Sequence, residues 1–200
     1  MLNDLFISLS ENYSFLNVFS YITFRTGIAI FTSLLFVLYF GKPFIGYLKS
    51  SPYFDQPIRF DGPISHIVKK KGTPTFGGIL IIIAIIVSTF LWSDIENIFV
   101  LISIFSVLSF ALIGFFDDFL KIKRKDSKGI NAYLKLLFQI IFSVMIFYLI
   151  SISINVDQRY LLSVPFYKNL IFDIGYFYLP FAIIVIVGSS NAVNLTDGLD

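Results

Sequence analysis

The 200-residue sequence contains no cysteine and a single histidine, His66. The first absence removes disulfides, a thiol nucleophile and thiolate metal ligation. The second removes a histidine-rich metal centre from this stretch, and a lone His in a long loop is more often solvated than catalytic. Charge is scarce as well: 14% of residues are Asp, Glu, Lys or Arg, where a soluble domain averages about 25%. A basic leader is also missing. "MLNDLFISLSENYSF" carries Asp4 and Glu11 but no Lys or Arg, so it reads as a short periplasmic or interfacial lead-in rather than a cleaved signal peptide. What fills the chain instead is apolar: 56% hydrophobic residues, 25 of all residues Phe, and a mean hydropathy of +0.83. That excess identifies lipid as the solvent.

A bilayer core of about 30 Å requires roughly 20 apolar helical residues. Five stretches qualify, at about 24–48, 76–92, 98–116, 134–154 and 174–193. Because backbone groups in lipid must pair within their own segment, the expected fold class is all-α, a polytopic transmembrane helical bundle. Residues 1–200 are expected to form a single integral membrane domain. Loop charge sets the orientation. Lys42, Lys49, Arg59, Lys69, Lys70 and Lys71 fall at or after the end of span one, and Lys121, Lys123, Arg124, Lys125 and Lys128 between spans three and four. "SDIEN" has no basic residue, and 155–173 has only Arg159 and Lys168. The positive-inside rule therefore places the two basic loops in the cytoplasm and the N-terminus outside. Three polar stretches distant in sequence, 69–78, 117–128 and 189–200, then share one membrane face.

The first is "KKKGTPTFGG". Lysines beside a span usually orient it or bind anionic headgroups. Here Gly72 and Pro74 impose an irregular turn, Thr73 and Thr75 add hydroxyls, and Gly77-Gly78 open a helix, which together make a plausible anion seat. The second is "GFFDDFLKIKRKDSKG". Asp117 and Asp118 sit where span three meets water, and adjacent carboxylates repel unless one is protonated or a cation lies between them. The plain reading is a solvated helix end paired with Lys121, with Lys121 expected to neutralise only one of the two. Acids beside a span otherwise suggest function, and hard oxygen ligands favour Mg²⁺. The third is "NAVNLTDGLD", with Asn191, Asn194, Asp197 and Asp200 spaced three apart. On a helix such residues drift about 60° per step, and a break near Gly198 would let the last three converge. Their plain reading is helix capping; their chemistry also suits a nucleobase, a sugar or a metal. "NLT" matches a glycosylation acceptor, which the cytoplasmic placement makes unusable.

In that order and at those membrane ends, the three motifs resemble the polyprenyl-phosphate N-acetylhexosamine-1-phosphate transferase superfamily, and within it the muramoyl-pentapeptide branch that makes the first lipid-linked peptidoglycan precursor. The resemblance runs from span one to Asp200. Phe76 departs from it, since the family usually has Met there, another bulky apolar residue. So does length: family members have roughly ten spans, with a further metal-binding Asp and a His-rich cytoplasmic loop downstream. The chain is therefore expected to be the N-terminal half of such an enzyme, inactive alone.

The resemblance implies that Asp117 and Asp118 form the catalytic acidic pair near Mg²⁺ and the lipid phosphate. It implies that Lys70 and Thr75 lie at the nucleotide-sugar pocket, and that Asn191, Asn194, Asp197 and Asp200 line uridine, phosphate and metal, with Asn194 joining Asp117 and Asp118 as a metal ligand. The implied partners are UDP-N-acetylmuramoyl-pentapeptide, undecaprenyl phosphate and the lipid bilayer of the bacterial inner membrane, with a homodimer open and no nucleic acid. The implied reaction is attack of undecaprenyl phosphate on the β-phosphorus of the UDP conjugate, releasing UMP. Two alternatives stand beside it: a sister enzyme using another UDP-N-acetylhexosamine, and a membrane transporter or scaffold. Transport predicts ionisable residues near the bilayer midplane, whereas the centres of these spans carry no charge.

Overall fold

The computed structural model describes residues 2–54, 74–125, 128–167 and 169–197. Lys70, Asp200, His66 and Gly198 lie outside the described residues. The described chain is helical apart from one short hairpin, and forms two compact units, Met1–Asn131 and Ala132–Asp200.

The first unit opens with a short helix, α1 (Leu2–Leu9), followed by a 3-10 segment, Ser14–Ser20. The 28-residue α2 (Ile22–Lys49) then runs the length of the unit. Thr26, Thr32 and Ser33 return their hydroxyls to the carbonyls of Ile22, Ile28 and Ile30, so these hydroxyls are satisfied within the helix. α3 (Gly78–Trp92) packs antiparallel on α2, with Leu80 beside buried Gly41 and the Trp92 indole donating to Thr32 Oγ1 at 2.9 Å. Phe6, Phe19 and Phe24 collect around that Trp at the same end. α4 (Ile98–Arg124) starts on an Asn97 cap that accepts the Phe99 N–H at 2.9 Å and ends at Lys125, whose φ of 52° is left-handed. Basic residues in its last turn, Lys121, Lys123 and Arg124, match the negative pole of the helix.

In the second unit α5 (Ala132–Ser153) packs antiparallel on α6 (Tyr178–Asp197), with the rings of Phe147 and Tyr178 6.0 Å apart. Between them, β1 (Leu161–Ser163) and β2 (Ile171–Asp173) pair antiparallel, Leu162 opposite Phe172.

Burial differs from that of a water-soluble core, with polar side chains among the most enclosed and many large apolar ones exposed. Among the described residues Gln139, 2% exposed, and Ser143, fully buried, are enclosed together with Leu48, Ile102, Ile113 and Ile146, while Leu34, Leu35, Leu38 and Phe31 face outward. Small and polar residues between helices, with Leu and Phe outside, are what lipid-solvated packing requires. Four helical segments, Ile22–Lys49, Ile98–Arg124, Ala132–Ser153 and Gly175–Leu195, are long and apolar enough to cross a membrane. The chain is accordingly a multi-pass membrane protein.

Two sequence boundaries move. The stretch expected to span at 76–92 forms a helix of 15 residues, about 22 Å long. Phe76 adopts φ 68°, a left-handed conformation that a helix interior excludes, and Ser93 is extended. Conversely, the span expected at 98–116 continues as helix to Arg124. Asp117 and Asp118 thus stand on a rigid helix, two turns before its end.

Candidate active site

Within the first unit, a run of rings ties the Thr75 segment to the acidic pair. Tyr47 lies 6.4 Å from Phe54, Phe54 6.1 Å from Phe76, Phe76 5.2 Å from Phe115, and Phe115 6.4 Å from Phe119. The Phe54 carbonyl accepts the Thr75 N–H at 2.8 Å. The end of α2, the start of α3 and the end of α4 therefore converge. Thr75 itself is buried, which the motif alone did not indicate. Phe76 looked interchangeable with Met, yet it supplies both the central ring and the left-handed turn that begins α3.

Asp117 and Asp118 share a cation. Lys121 Nζ lies 2.6 Å from Asp117 Oδ2 and 3.2 Å from Asp118 Oδ1. Positions i+4 and i+3 lie on the same helix face, so one flexible ammonium reaches both carboxylates, and its single positive charge offsets only one of the two negative charges, as expected. The other oxygen of Asp117, Oδ1, accepts the Ile130 N–H at 2.9 Å. Arg124 Nη1 donates to the Gly129 carbonyl at 3.4 Å. The loop after α4 is thereby clasped against the helix. Gly129 is buried with φ 57°, and a Cβ there would meet Asp117 Cγ at 2.9 Å, so both conformation and space call for glycine.

The clasp distinguishes the two acids. The Asp117 side chain is 14% exposed and engaged at both oxygens, whereas that of Asp118 is 34% exposed. Hard oxygens of this kind suit Mg²⁺, which takes one or two carboxylates and completes its shell with water and phosphate oxygens. Among the described residues no three His, Asp or Glu side chains converge to hold a metal by themselves. The donor set is thus right in kind and needs substrate oxygens to be complete.

In the second unit, helix α6 is unbroken through Asn191, Asn194 and Asp197. Asn191 is not a cap. Its Nδ2 donates to Gln139 Oε1 at 3.0 Å and its Oδ1 accepts from Gln139 Nε2 at 3.2 Å. The Ser190 hydroxyl also lies within reach of that Nε2, at 3.4 Å. Asn194 is exposed. Gln139 escaped the sequence reading, although a lone amide inside "KLLFQIIFSVM" is a signal that some polar group must face it. Replacing Gln139 by Leu strands the Asn191 amide and should cost about 1–2 kcal/mol. The thermal midpoint of the detergent-solubilised full-length protein should fall, and the double change Gln139→Leu/Asn191→Leu should recover most of the loss.

A helical membrane protein with an acidic pair and an amide row at helix ends is the class these elements define. The model of glycosyl transferase family 4 matches residues 98–200, and the chain belongs to that family. Over its full length it is 48% identical to the phospho-N-acetylmuramoyl-pentapeptide-transferase of Pelagibacter ubique (strain HTCC1062) and 48% to that of Thermodesulfovibrio yellowstonii. It is 47% identical to that of Rickettsia prowazekii (strain Madrid E). The chain spans 55% of the length of each of these relatives.

Proposed function

We propose that the protein carrying this chain transfers phospho-N-acetylmuramoyl-pentapeptide from its UDP conjugate to undecaprenyl phosphate, releasing UMP. The observation that carries the reading is near-half identity along the whole chain to relatives named for that transfer. We place it in the bacterial inner membrane, with the acidic pair on the cytoplasmic face and the N-terminus periplasmic. The two units are parts of one integral membrane domain, and a homodimer is compatible with their exposed helix faces. Support for the orientation comes from the first unit, where Lys49, Thr75, Asp117 and the basic turn of α4 lie at one end.

Phosphoryl transfer asks a protein chiefly for positioning and charge neutralisation. On this reading Asp118, the more exposed acid, meets the phosphate groups and takes the proton of the attacking lipid phosphate at a carboxylate oxygen. Asp117 fixes the loop and shares Lys121, so the pair carries one net negative charge instead of two. Lys70 counters diphosphate charge, and Thr75 contributes to the same pocket. Asn194, Asp197 and Asp200 line the uridine, ribose and phosphates, while Gln139 sets the angle of the row through Asn191. Mg²⁺, held by Asp117, Asp118 and Asn194, would polarise the diphosphate and stabilise the departing UMP.

The test uses purified full-length protein with undecaprenyl phosphate and Mg²⁺. UMP and a lipid-linked muramoyl-pentapeptide should appear together, and EDTA should abolish both. Turnover of another UDP-N-acetylhexosamine in place of the muramoyl-pentapeptide conjugate would move the protein to a sister activity.

A further inference from the structure

We propose that the loop between α5 and α6 is an interfacial anchor: the β1–β2 hairpin and the Tyr176–Phe177 turn seat in the headgroup–acyl boundary of the bilayer, with Phe166 as the inserted side chain. At the hairpin tip, Tyr167 N–H returns to the Val164 carbonyl at 3.2 Å, closing a turn over Pro165 and Phe166. Phe166 sits at φ 71°, where a turn of this kind ordinarily takes Gly or Asn. Its side chain is fully exposed, 103% of the reference area. A strained backbone that holds an aromatic ring clear of all protein contact gains nothing in water.

The flanking residues share the pattern. Ile171 and Phe172 are adjacent on β2 and so point to opposite faces of the hairpin, yet both are about half exposed. Neither face is covered by another layer among the described residues, and a two-stranded hairpin is marginal in water by itself. Tyr167, Tyr176 and Phe177 add exposed rings, Tyr176 at 89%. Polar groups accompany the rings: Asn169 is exposed beside the tip, and at the base Asp173 Oδ1 accepts the Gly175 N–H at 2.8 Å.

Bilayer is the occupant because the loop is continuous with it. α5 and the segment Gly175–Leu195 are both of membrane-crossing length and composition, so residues 154–174 leave and re-enter lipid at one surface. Exposed Tyr and Phe rings interspersed with polar groups match the chemistry of that boundary.

The test uses the full-length protein in phosphatidylethanolamine/phosphatidylglycerol vesicles, nitroxide-labelled at Phe166→Cys. The described chain contributes no competing thiol, and any cysteine elsewhere is first replaced. Collisions with molecular oxygen should exceed those with a water-soluble nickel chelate several-fold. Since a label at the strained corner can disturb the turn, Tyr176→Cys is measured separately and should give the same ordering. Free access of the chelate at both positions would place the loop in water and overturn the proposal. Exclusion of both reagents would mean that protein covers the loop, and would overturn it equally.

Discussion

Asp118→Asn in the full-length protein should abolish lipid-linked product, a loss of about 10²–10⁴-fold in turnover, while the thermal midpoint stays within the error of the parent. Asp118 has one described contact, to Lys121 at 3.2 Å, and an amide oxygen can still accept there. Asp117→Asn should cost comparable turnover and stability besides. In that variant the amide oxygen can satisfy Ile130 or Lys121, and the remaining site receives an NH₂ group facing another donor. Leaving a partly buried donor unmatched costs about 1–3 kcal/mol, read as a drop in midpoint for Asp117→Asn only. Normal product formation in both variants would remove the acidic pair from the reaction. Equal loss of stability in both would remove the division of labour between them.

How far the sequence foretold this site depends on which forces are local. Apolar runs of about 20 residues revealed α2, α4, α5 and α6, because lipid leaves a helix no alternative for its backbone. Adjacent acids at the end of an apolar run were equally visible. The shared Lys121 follows from the same logic, since the i+3 and i+4 spacing is written in "DDFLK". The return of Ile130 to Asp117 is another matter. It depends on the left-handed turn at Gly129, and the Gly in "DSKGI" has many other conformations open to it. Phe76 was misjudged because volume was compared and not backbone conformation. The hairpin was lost because strands of three residues carry too little alternation to distinguish from coil.

Gly129→Ala should therefore damage the site without touching any charged group. Two penalties act together. An Ala at φ 57° occupies the left-handed region, which costs about 1–2 kcal/mol. Its Cβ would also lie 2.9 Å from Asp117 Cγ and 3.0 Å from Lys121 Cε, so either the loop retreats or the carboxylate turns away. Loop retreat breaks the Ile130 contact; carboxylate rotation breaks the Lys121 pair. Either outcome unsettles Asp117, and rotation also leaves Asp118 to hold Lys121 alone. The expected result is a fall in thermal midpoint comparable to that of Asp117→Asn, and a loss of turnover that Asp117→Asn/Gly129→Ala does not deepen by the product of the single losses. Non-additivity is the decisive readout. If the two changes multiply independently, Gly129 acts elsewhere than through Asp117, and the clasp has no part in positioning the acid. If Gly129→Ala leaves both midpoint and turnover unchanged, the close approach of the loop to α4 is not a feature of the working protein.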